Sequence, residues 1–294
     1  MKADQILIDM TKEHEYFIGI DSDGCAFDSM EIKHKECFCP NTINYWNLQP
    51  VSKYAREAAE FVNLYSKFRG INRFPAVVEV MDLLAKREEC IKRGYKLPDL
   101  SELREWIKTE TKLGNPALIK RVEQNPTPLM KQALEWSLAV NETVAKIVRN
   151  VPPFPYLREN LEKMVNDCDI VCVSATPNEA LTREWEEHDI AKYVKVIAGQ
   201  EIGTKKESLS TCAKKGYDSD KMLMIGDAPG DLKAARAANC LFYPINPGDE
   251  ERSWHRFLNE AYDKFINNTY KGEYEDSLIA EFDTYLPNTP PWEK

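Results

Sequence analysis

The sequence predicts an α/β fold, a doubly wound and mostly parallel sheet interrupted by an inserted all-helical domain. Three observations lead to this prediction. After residue 155, short apolar runs alternate with helical patterns, as expected of parallel strands joined by helices. One further strand-like run stands apart at Tyr16–Ile20. The long stretch between this run and the others has helical periodicity and no convincing strand.

Composition and charge exclude several classes of protein. With 294 residues, 43% hydrophobic and 30% charged, the chain can bury one substantial core and a second, smaller one. Its formal net charge of -9 argues against nucleic acid or an anionic membrane as a partner, because both select basic surfaces. No segment reaches the roughly 18 consecutive apolar residues of a membrane span. The charged N-terminal stretch lacks the apolar centre of a secretory signal, so we expect a cytoplasmic protein with reduced cysteines.

The elements follow one another in a clear order. After the first strand, helical spacing of apolar residues predicts helices over 52–69 and 75–93, which stop at Gly70 and Gly94. Ser101 and Glu102 open another helix, and a long amphipathic helix is predicted over 128–149. The insert is therefore expected to be all-helical.

A proline-rich link, Val151-Pro152-Pro153-Phe154-Pro155, marks the end of the insert, because proline cannot continue a helix. A helix over 156–166 follows it. Apolar runs then predict strands at 170–173, 194–197, 222–225 and 240–243, with helices between them. We assign residues 1–28 and 151–294 to the sheet-containing core and residues 29–150 to the helical insert.

Acidic clusters directly follow two of the predicted strands. Asp21-Ser22-Asp23-Gly24 comes after the first strand, and Gly226-Asp227-Ala228-Pro229-Gly230-Asp231 comes after the strand at 222–225. The carboxyl ends of parallel strands open on one edge of the sheet, so these carboxylates are expected to converge. Like charges this close raise each other's pKa unless a cation neutralises them. The pattern therefore indicates a metal site and phosphate chemistry.

Four elements, taken in chain order, carry a family resemblance. They are Asp21-Ser22-Asp23-Gly24 after a strand, Ser174 after the run 170–173, Lys205 in Gly203-Thr204-Lys205-Lys206-Glu207, and the Gly-Asp-x-x-x-Asp pattern that ends at Asp231. Together they resemble the four motifs of the haloacid dehalogenase-like (HAD) hydrolase superfamily. The resemblance implies a HAD-like, Rossmannoid catalytic core. The insert occupies the position of the family's helical cap, of the C1 type.

The resemblance implies a role for each matching residue. Asp21 would be the nucleophile, a carboxylate that attacks a phosphoryl group and forms an aspartyl-phosphate. Asp23 would act as general acid and then general base. Ser174 and Lys205 would hold the phosphoryl oxygens, because phosphoryl transfer depends mainly on positioning and charge stabilisation.

A magnesium ion and a small substrate are also implied. Mg²⁺ would bind Asp21, Asp227 and the backbone carbonyl of Asp23, since hard oxygen ligands suit it. Asp231 would orient the lysine or a water molecule on the metal. A cap that closes over the site leaves no room there for a folded macromolecule. We therefore expect a magnesium-dependent phosphohydrolase, a HAD-type phosphatase, of a small phosphorylated metabolite.

Several alternatives stay open at this point. Thr176 could bind phosphate in place of Ser174, and Lys206 could replace Lys205. The residue between the two aspartates is more often large and apolar in the family, whereas here it is Ser22. A phosphomutase would use the same residues, and the chain could also be a noncatalytic binding or regulatory protein on the same fold.

Overall fold

A computed structural model describes residues 5–293 of the chain, which contain a five-stranded parallel sheet. Each strand is a short apolar run, buried over almost its whole length, as expected where both faces of a sheet are covered. The order across the sheet is β3-β2-β1-β4-β5. The strands are β1 (Tyr16–Ile20), β2 (Cys168–Val173), β3 (Val196–Ala198), β4 (Met222–Gly226) and β5 (Leu241–Pro244).

The sheet has an apolar layer on each face because successive side chains of a strand point to opposite sides. Ile18 and Ile20 of β1 belong to one buried cluster, together with Ile225 of β4. Phe17 of β1 and Met224 of β4 belong to the other. The α/β fold class expected from the sequence is confirmed, with β1 at the centre of the sheet despite its distance along the chain.

Apart from β1, the regular elements up to the end of the insert are helices, and the insert contains no strand within the described residues. A π-helical segment, Lys33–Phe38, joins α2 to α3. The helices are α1 (Gln5–Asp9), α2 (Ser29–Ile32), α3 (Cys39–Tyr45), α4 (Ser52–Leu64), α5 (Arg73–Lys86), α6 (Glu88–Lys92), α7 (Ser101–Thr109), α8 (Asn115–Gln124) and α9 (Pro128–Ile147).

The remaining helices alternate with β2 to β5 and then continue to the end of the chain. They are α10 (Leu157–Met164), α11 (Asn178–Glu187), α12 (Lys205–Ala213), α13 (Pro229–Ala237), α14 (Glu250–Arg256), α15 (Tyr262–Ile266) and α16 (Glu273–Tyr285). Between residues 5 and 293, no helix has both the length and the apolarity needed to cross a membrane.

Two helices of the insert are shorter than the sequence predicts. The helix expected over 52–69 ends at Leu64, because the Ser66 hydroxyl donates to the Val62 carbonyl and accepts from the Phe68 amide, which competes with helical bonding. The helix expected over 75–93 is broken at Arg87, whose backbone is extended. The buried Arg87 guanidinium there pairs with Glu57 at 2.5 Å. Such long-range side-chain contacts leave no periodic signal in the sequence.

The chain divides into two compact units. The first contains the sheet and comprises the described residues up to Met30 together with Asn150–Leu286. The second is helical and comprises Glu31–Arg149 together with the described residues from Pro287 on. The sequence analysis placed that C-terminal tail with the sheet. Instead, the Trp292 ring lies 4.4 Å from the Arg87 guanidinium and edge-on to Phe61, both in the helical unit.

Candidate active site

Polar residues converge at the carboxyl edge of the sheet, where β1, β2 and β4 end side by side. The Asp21 amide donates to the Ile225 carbonyl of β4 at 3.0 Å, which continues the β1–β4 ladder by one residue. The Ser174 amide donates to the Ala198 carbonyl of β3 at 2.9 Å. Parallel pairing thus brings the segments after β1, β2 and β4 to one edge.

Three buried carboxylates form the centre of the site. One oxygen each from Asp21, Asp227 and Asp231 lies within 4.8 Å of the others, and the three residues are at most 5% exposed. Asp21 Oδ1 accepts a hydrogen bond of 2.7 Å from the Ser22 amide. This is a set of hard oxygen donors, the kind that Mg²⁺ prefers in proteins.

Lys205 lies among these carboxylates. Its Nζ is 2.5 Å from Asp21 Oδ2 and also donates to Asp231 Oδ1. Lys205 is the first residue of α12, whose start is fixed by a capping box: Thr204 Oγ1 accepts from the Glu207 amide, and Glu207 Oε2 accepts from the Thr204 amide. Lys206 is exposed. The structure therefore places Lys205, rather than Lys206, in the cluster.

Burial and mutual repulsion shift the protonation equilibria of the cluster. Burial raises the pKa of Asp21 well above its usual value; the charges of Asp231 and Asp227 raise it further, while Lys205 lowers it in part. Burial disfavours the charged Lys205 ammonium, but Asp21 and Asp231 outweigh that effect and raise the pKa of Lys205. The lysine thus stays protonated, and further positive charge at the site would favour the ionised form of Asp21.

Asp231 reaches the cluster because Gly226 leaves room for it. A Cβ built on Gly226 would lie 2.4 Å from the Asp231 Cβ, which is closer than non-bonded carbon atoms approach each other. Asp231 Oδ2 also accepts a hydrogen bond of 3.1 Å from the Ala228 amide at the start of α13. The glycine at the end of β4 is thus required for close approach rather than for an unusual backbone angle.

Two hydroxyl groups hold the carboxylate of Asp23, one on each oxygen. Ser29 donates to Oδ1, and Thr176 donates to Oδ2 at 2.7 Å. Asp23 is partly exposed, unlike Asp21. Gly24, which follows it, has a φ of 74°, a left-handed conformation that favours glycine. The turn and the two hydroxyls together fix the orientation of this carboxylate.

Ser174 follows β2 and is 3% exposed. Its hydroxyl accepts a hydrogen bond of 3.3 Å from the Thr176 amide, which shapes the loop that leads into α11. Because Thr176 donates to Asp23, its hydroxyl is already engaged in this structure. The assignment of phosphate binding to Ser174, with Thr176 as the alternative, stays a prediction from the sequence.

The structure brings carboxylate oxygens of Asp21, Asp227 and Asp231 within 4.8 Å of one another and pairs Lys205 with Asp21 and Asp231. It places Asp23 and Ser174 on neighbouring loops of the same edge. Asp231 was expected to orient the lysine or a water molecule on the metal. Its carboxylate accepts from Lys205 and lies within the acidic group, and its role stays a prediction. Sequence reasoning missed four side chains that bind the Asp21–Cys25 segment: Ser29, Glu184, Trp185 and Trp254. The unusual Ser22 was the one local signal for any of them.

Comparison with known families places the chain in context. The family model described as haloacid dehalogenase-like hydrolase matches residues 71–244, more than half of the chain. Two curated relatives, both named phosphoglycolate phosphatase and from Salmonella paratyphi A and Salmonella typhi, are 30% identical over 106 residues. That alignment spans 33% of this chain and 42% of each relative, so the chain matches less than half of their length.

A solved structure shows the same fold. It is the crystal structure of a candidate phosphoglycolate phosphatase from Lactobacillus delbrueckii subsp. bulgaricus, with a TM-score of 0.50 and 15% sequence identity. The superposition covers 84% of this chain and 92% of that one. At this identity the likeness concerns the fold alone.

Proposed function

The chain belongs to the haloacid dehalogenase-like hydrolase family, and on this premise we propose that it is a magnesium-dependent phosphohydrolase of a small phosphorylated molecule. The observation that carries the proposal is the buried group of Asp21, Asp227 and Asp231 with Lys205 in contact. Three carboxylates against one ammonium leave excess negative charge in a place shielded from water, which is costly without a cation.

The donor set fits Mg²⁺. Asp21 and Asp227 would hold the ion through carboxylate oxygens, together with the backbone carbonyl of Asp23. When bound, the ion supplies positive charge that favours ionised Asp21 and offsets the repulsion between the carboxylates and an anionic substrate. Sulfur and imidazole groups, which favour zinc, are absent from the acidic group.

Asp21 would be the nucleophile. One of its oxygens forms a bond to phosphorus while the bond from phosphorus to the leaving oxygen breaks, which produces an aspartyl-phosphate. Hydrogen bonds from the Ser22 amide to Oδ1 and from Lys205 to Oδ2 orient the carboxylate before the reaction. A fixed orientation lowers the entropic cost of the attack.

Asp23 would act as the general acid and then as the general base. It gives a proton to the leaving oxygen in the first step and takes one from the attacking water in the second, when the aspartyl-phosphate is hydrolysed and inorganic phosphate leaves. The hydroxyls of Ser29 and Thr176 hold its two oxygens. Ser174 and Lys205 would bind the phosphoryl oxygens and stabilise their charge in both steps.

The substrate class follows from the same reasoning. The curated relatives are named for phosphoglycolate, a small phosphorylated molecule, which supports a small phosphate ester here without identifying it. We also propose that residues 29–150 are the family's cap domain. A cap that excludes water would further favour transfer to Asp21. The acidic net charge of -9 supports neither nucleic acid nor an anionic membrane as a partner. A cytoplasmic location remains a prediction from the sequence.

Phosphate release from an aryl phosphate, with and without Mg²⁺, tests the proposal. We expect Mg²⁺-dependent release from the intact protein and a loss of about a thousandfold or more in Asp21→Asn, since the nucleophile is removed. Asp220→Asn is the matched control, because this exposed aspartate precedes β4 at the edge opposite Asp227.

Equal release by the intact protein and Asp21→Asn would refute the assigned nucleophile. No release of phosphate from any of a panel of small phosphate esters, in a protein that melts cooperatively, would refute the proposed activity.

A further inference from the structure

Two buried tryptophans donate hydrogen bonds to the short segment that carries Asp21 and Asp23. Trp185 Nε1, on α11, is 3.0 Å from the Ser22 hydroxyl oxygen. Trp254 Nε1, on α14, is 2.8 Å from the Cys25 carbonyl oxygen. Both tryptophans are 0% exposed. We call these two bonds the indole clamp.

Ser22 is the acceptor that makes half of this clamp possible. Its hydroxyl accepts from Trp185 and donates to Glu184 Oε2 at 3.3 Å, while its amide donates to Asp21 Oδ1. Its carbonyl accepts from the Ala26 amide at 2.9 Å. An apolar side chain at position 22 would leave the indole N–H of Trp185 buried without an acceptor, which is unfavourable. Ser22, which replaces the large apolar residue usual in the family, therefore has a hydrogen-bond partner in Trp185 on α11.

The clamp holds the backbone on both sides of Asp23. Ser22 precedes Asp23, and Cys25 follows Gly24. Gly24 is in the left-handed region at φ 74° and, as a glycine, allows the widest range of backbone angles. Without fixed points at Ser22 and Cys25, rotation at Gly24 would move the Asp23 carboxylate relative to Asp21.

We propose that Trp185 and Trp254, acting through Ser22 and Cys25, are positioning residues that set the place of Asp23 relative to the leaving group. This inference rests on the proposed function. The indole N–H groups donate to Ser22 and to Cys25 and not to either carboxylate. They act by keeping the general acid where the leaving oxygen needs its proton, and misplacement by about 1 Å is enough to slow a reaction considerably.

The identity of the leaving group provides the test. An aryl phosphate releases a stabilised phenolate and needs little help from a general acid, whereas an alkyl phosphate releases a poor leaving group and depends on protonation. Misplacement of Asp23 therefore slows phosphoryl transfer from the alkyl ester selectively. kcat/KM reports this step, because hydrolysis of the aspartyl-phosphate comes after it and is common to both esters. A general loss of packing slows both reactions alike.

The experiment measures kcat/KM for p-nitrophenyl phosphate and for an alkyl phosphate that the intact protein hydrolyses. The variants are Ser22→Ala, Trp185→Phe and Trp254→Phe, each checked by thermal melting. The matched control is Trp136→Phe, because Trp136 is also buried and its Nε1 also bonds a hydroxyl, that of Thr42 at 3.1 Å, but it lies in the helical unit.

We expect each clamp variant to lose about tenfold in kcat/KM on the alkyl ester and less than about threefold on the aryl ester, a part of the usual contribution of a general acid. The double variant Ser22→Ala with Trp185→Phe should be no slower than the slower single variant, because both remove the same hydrogen bond. Trp136→Phe should leave the ratio of the two rates unchanged.

Equal losses on both esters, or the same change of ratio in Trp136→Phe, would overturn the clamp while the phosphohydrolase assignment stands. If the tryptophan variants do not fold, the ratio of the two rates in Ser22→Ala tests the clamp, since this substitution removes only a hydroxyl. An intact protein that hydrolyses neither ester class would overturn the proposed function and the clamp with it.

Discussion

At the scale of single residues, the site depends on which charged groups are buried together. Lys205 touches two carboxylates that are themselves buried, and it is the one lysine among the described residues that does so at this edge of the sheet. Lys206, next to it in sequence, is exposed. The same substitution at Lys205 and at Lys206 can therefore show which lysine the site needs.

Replacing Lys205 by Met should lower turnover by at least about a hundredfold and destabilise the metal-free protein by roughly 3–5 kcal/mol, because it leaves buried carboxylates unpaired. Lys206→Met should change the free energy of unfolding by no more than about 0.5 kcal/mol, as expected for an exposed site. Urea unfolding and phosphate release measure the two effects. If Lys206→Met impaired turnover more than Lys205→Met, the assignment of the lysine would be wrong.

Asp169 should make stability depend on acid pH. Burial by itself raises the pKa of its carboxyl, but hydrogen bonds from Lys195, from Tyr217 and from the amides of Glu13 and His14 outweigh burial and lower that pKa to about 2. The unfolded chain, with a usual pKa of about 3.9, therefore binds the proton first. The stabilisation is complete above about pH 5 and is lost as the pH falls toward 2.

Asp169→Asn should consequently flatten the acid limb of the stability curve between about pH 5 and 2, and it should lower stability at neutral pH by roughly 2 kcal/mol. Chemical denaturation at a series of pH values measures this change. Asp167→Asn is the control, since Asp167 is exposed and only two residues away. An unchanged acid limb in Asp169→Asn would show that the network contributes nothing to pH dependence.

At the scale of elements, strand ends and helix starts place the functional groups. β1 and β4 end at the acidic loops, and the capping box of Thr204 and Glu207 starts α12 directly at Lys205. The junction between β4 and α13 is the tightest of these connections, because Asp231 packs on Gly226. The packing at that junction can be tested by adding one methyl group at Gly226.

Gly226→Ala should destabilise the protein by roughly 1–3 kcal/mol, since its methyl group overlaps Asp231 and the surroundings must shift. It should also reduce turnover by moving Asp231 away from Lys205. Gly230→Ala is the matched control: Gly230 lies in α13, and a Cβ there meets nothing within 4 Å. That control should stabilise the protein by about 0.4–1 kcal/mol. Similar effects of the two substitutions on thermal melting would contradict the packing argument.

At the scale of the whole molecule, the acidic group makes stability depend on the metal. An ion that binds the folded chain alone stabilises it by about 2.7 kcal/mol when its free concentration is a hundred times Kd. Adding millimolar Mg²⁺ should therefore raise Tm, and a chelator should reverse the shift. Asp227→Asn should abolish it, whereas Asp220→Asn should not. A Tm that does not respond to Mg²⁺ in the intact protein would argue against the proposed metal site.

The sequence by itself determined the order of the strands along the chain, the helical character of the insert and the acidic residues at two strand ends. Each of these depends on local information, namely the period of apolar residues and the residues that follow each run. The parallel sheet then brings Asp21 and Asp227 together by a general rule, so their convergence could be predicted without coordinates.

The tertiary structure alone decided which lysine joins the cluster and which groups hold Asp23 and its neighbours. Thr176 and Asp23 are 153 residues apart, and Trp254 and Cys25 are 229 apart. Tertiary packing decides such contacts, because the direction of a side chain depends on where its helix begins and on which elements that helix packs against. Local periodicity carries no information about a partner on a distant element, and for that reason the clamp on Ser22 was visible in the sequence only as an unusual residue.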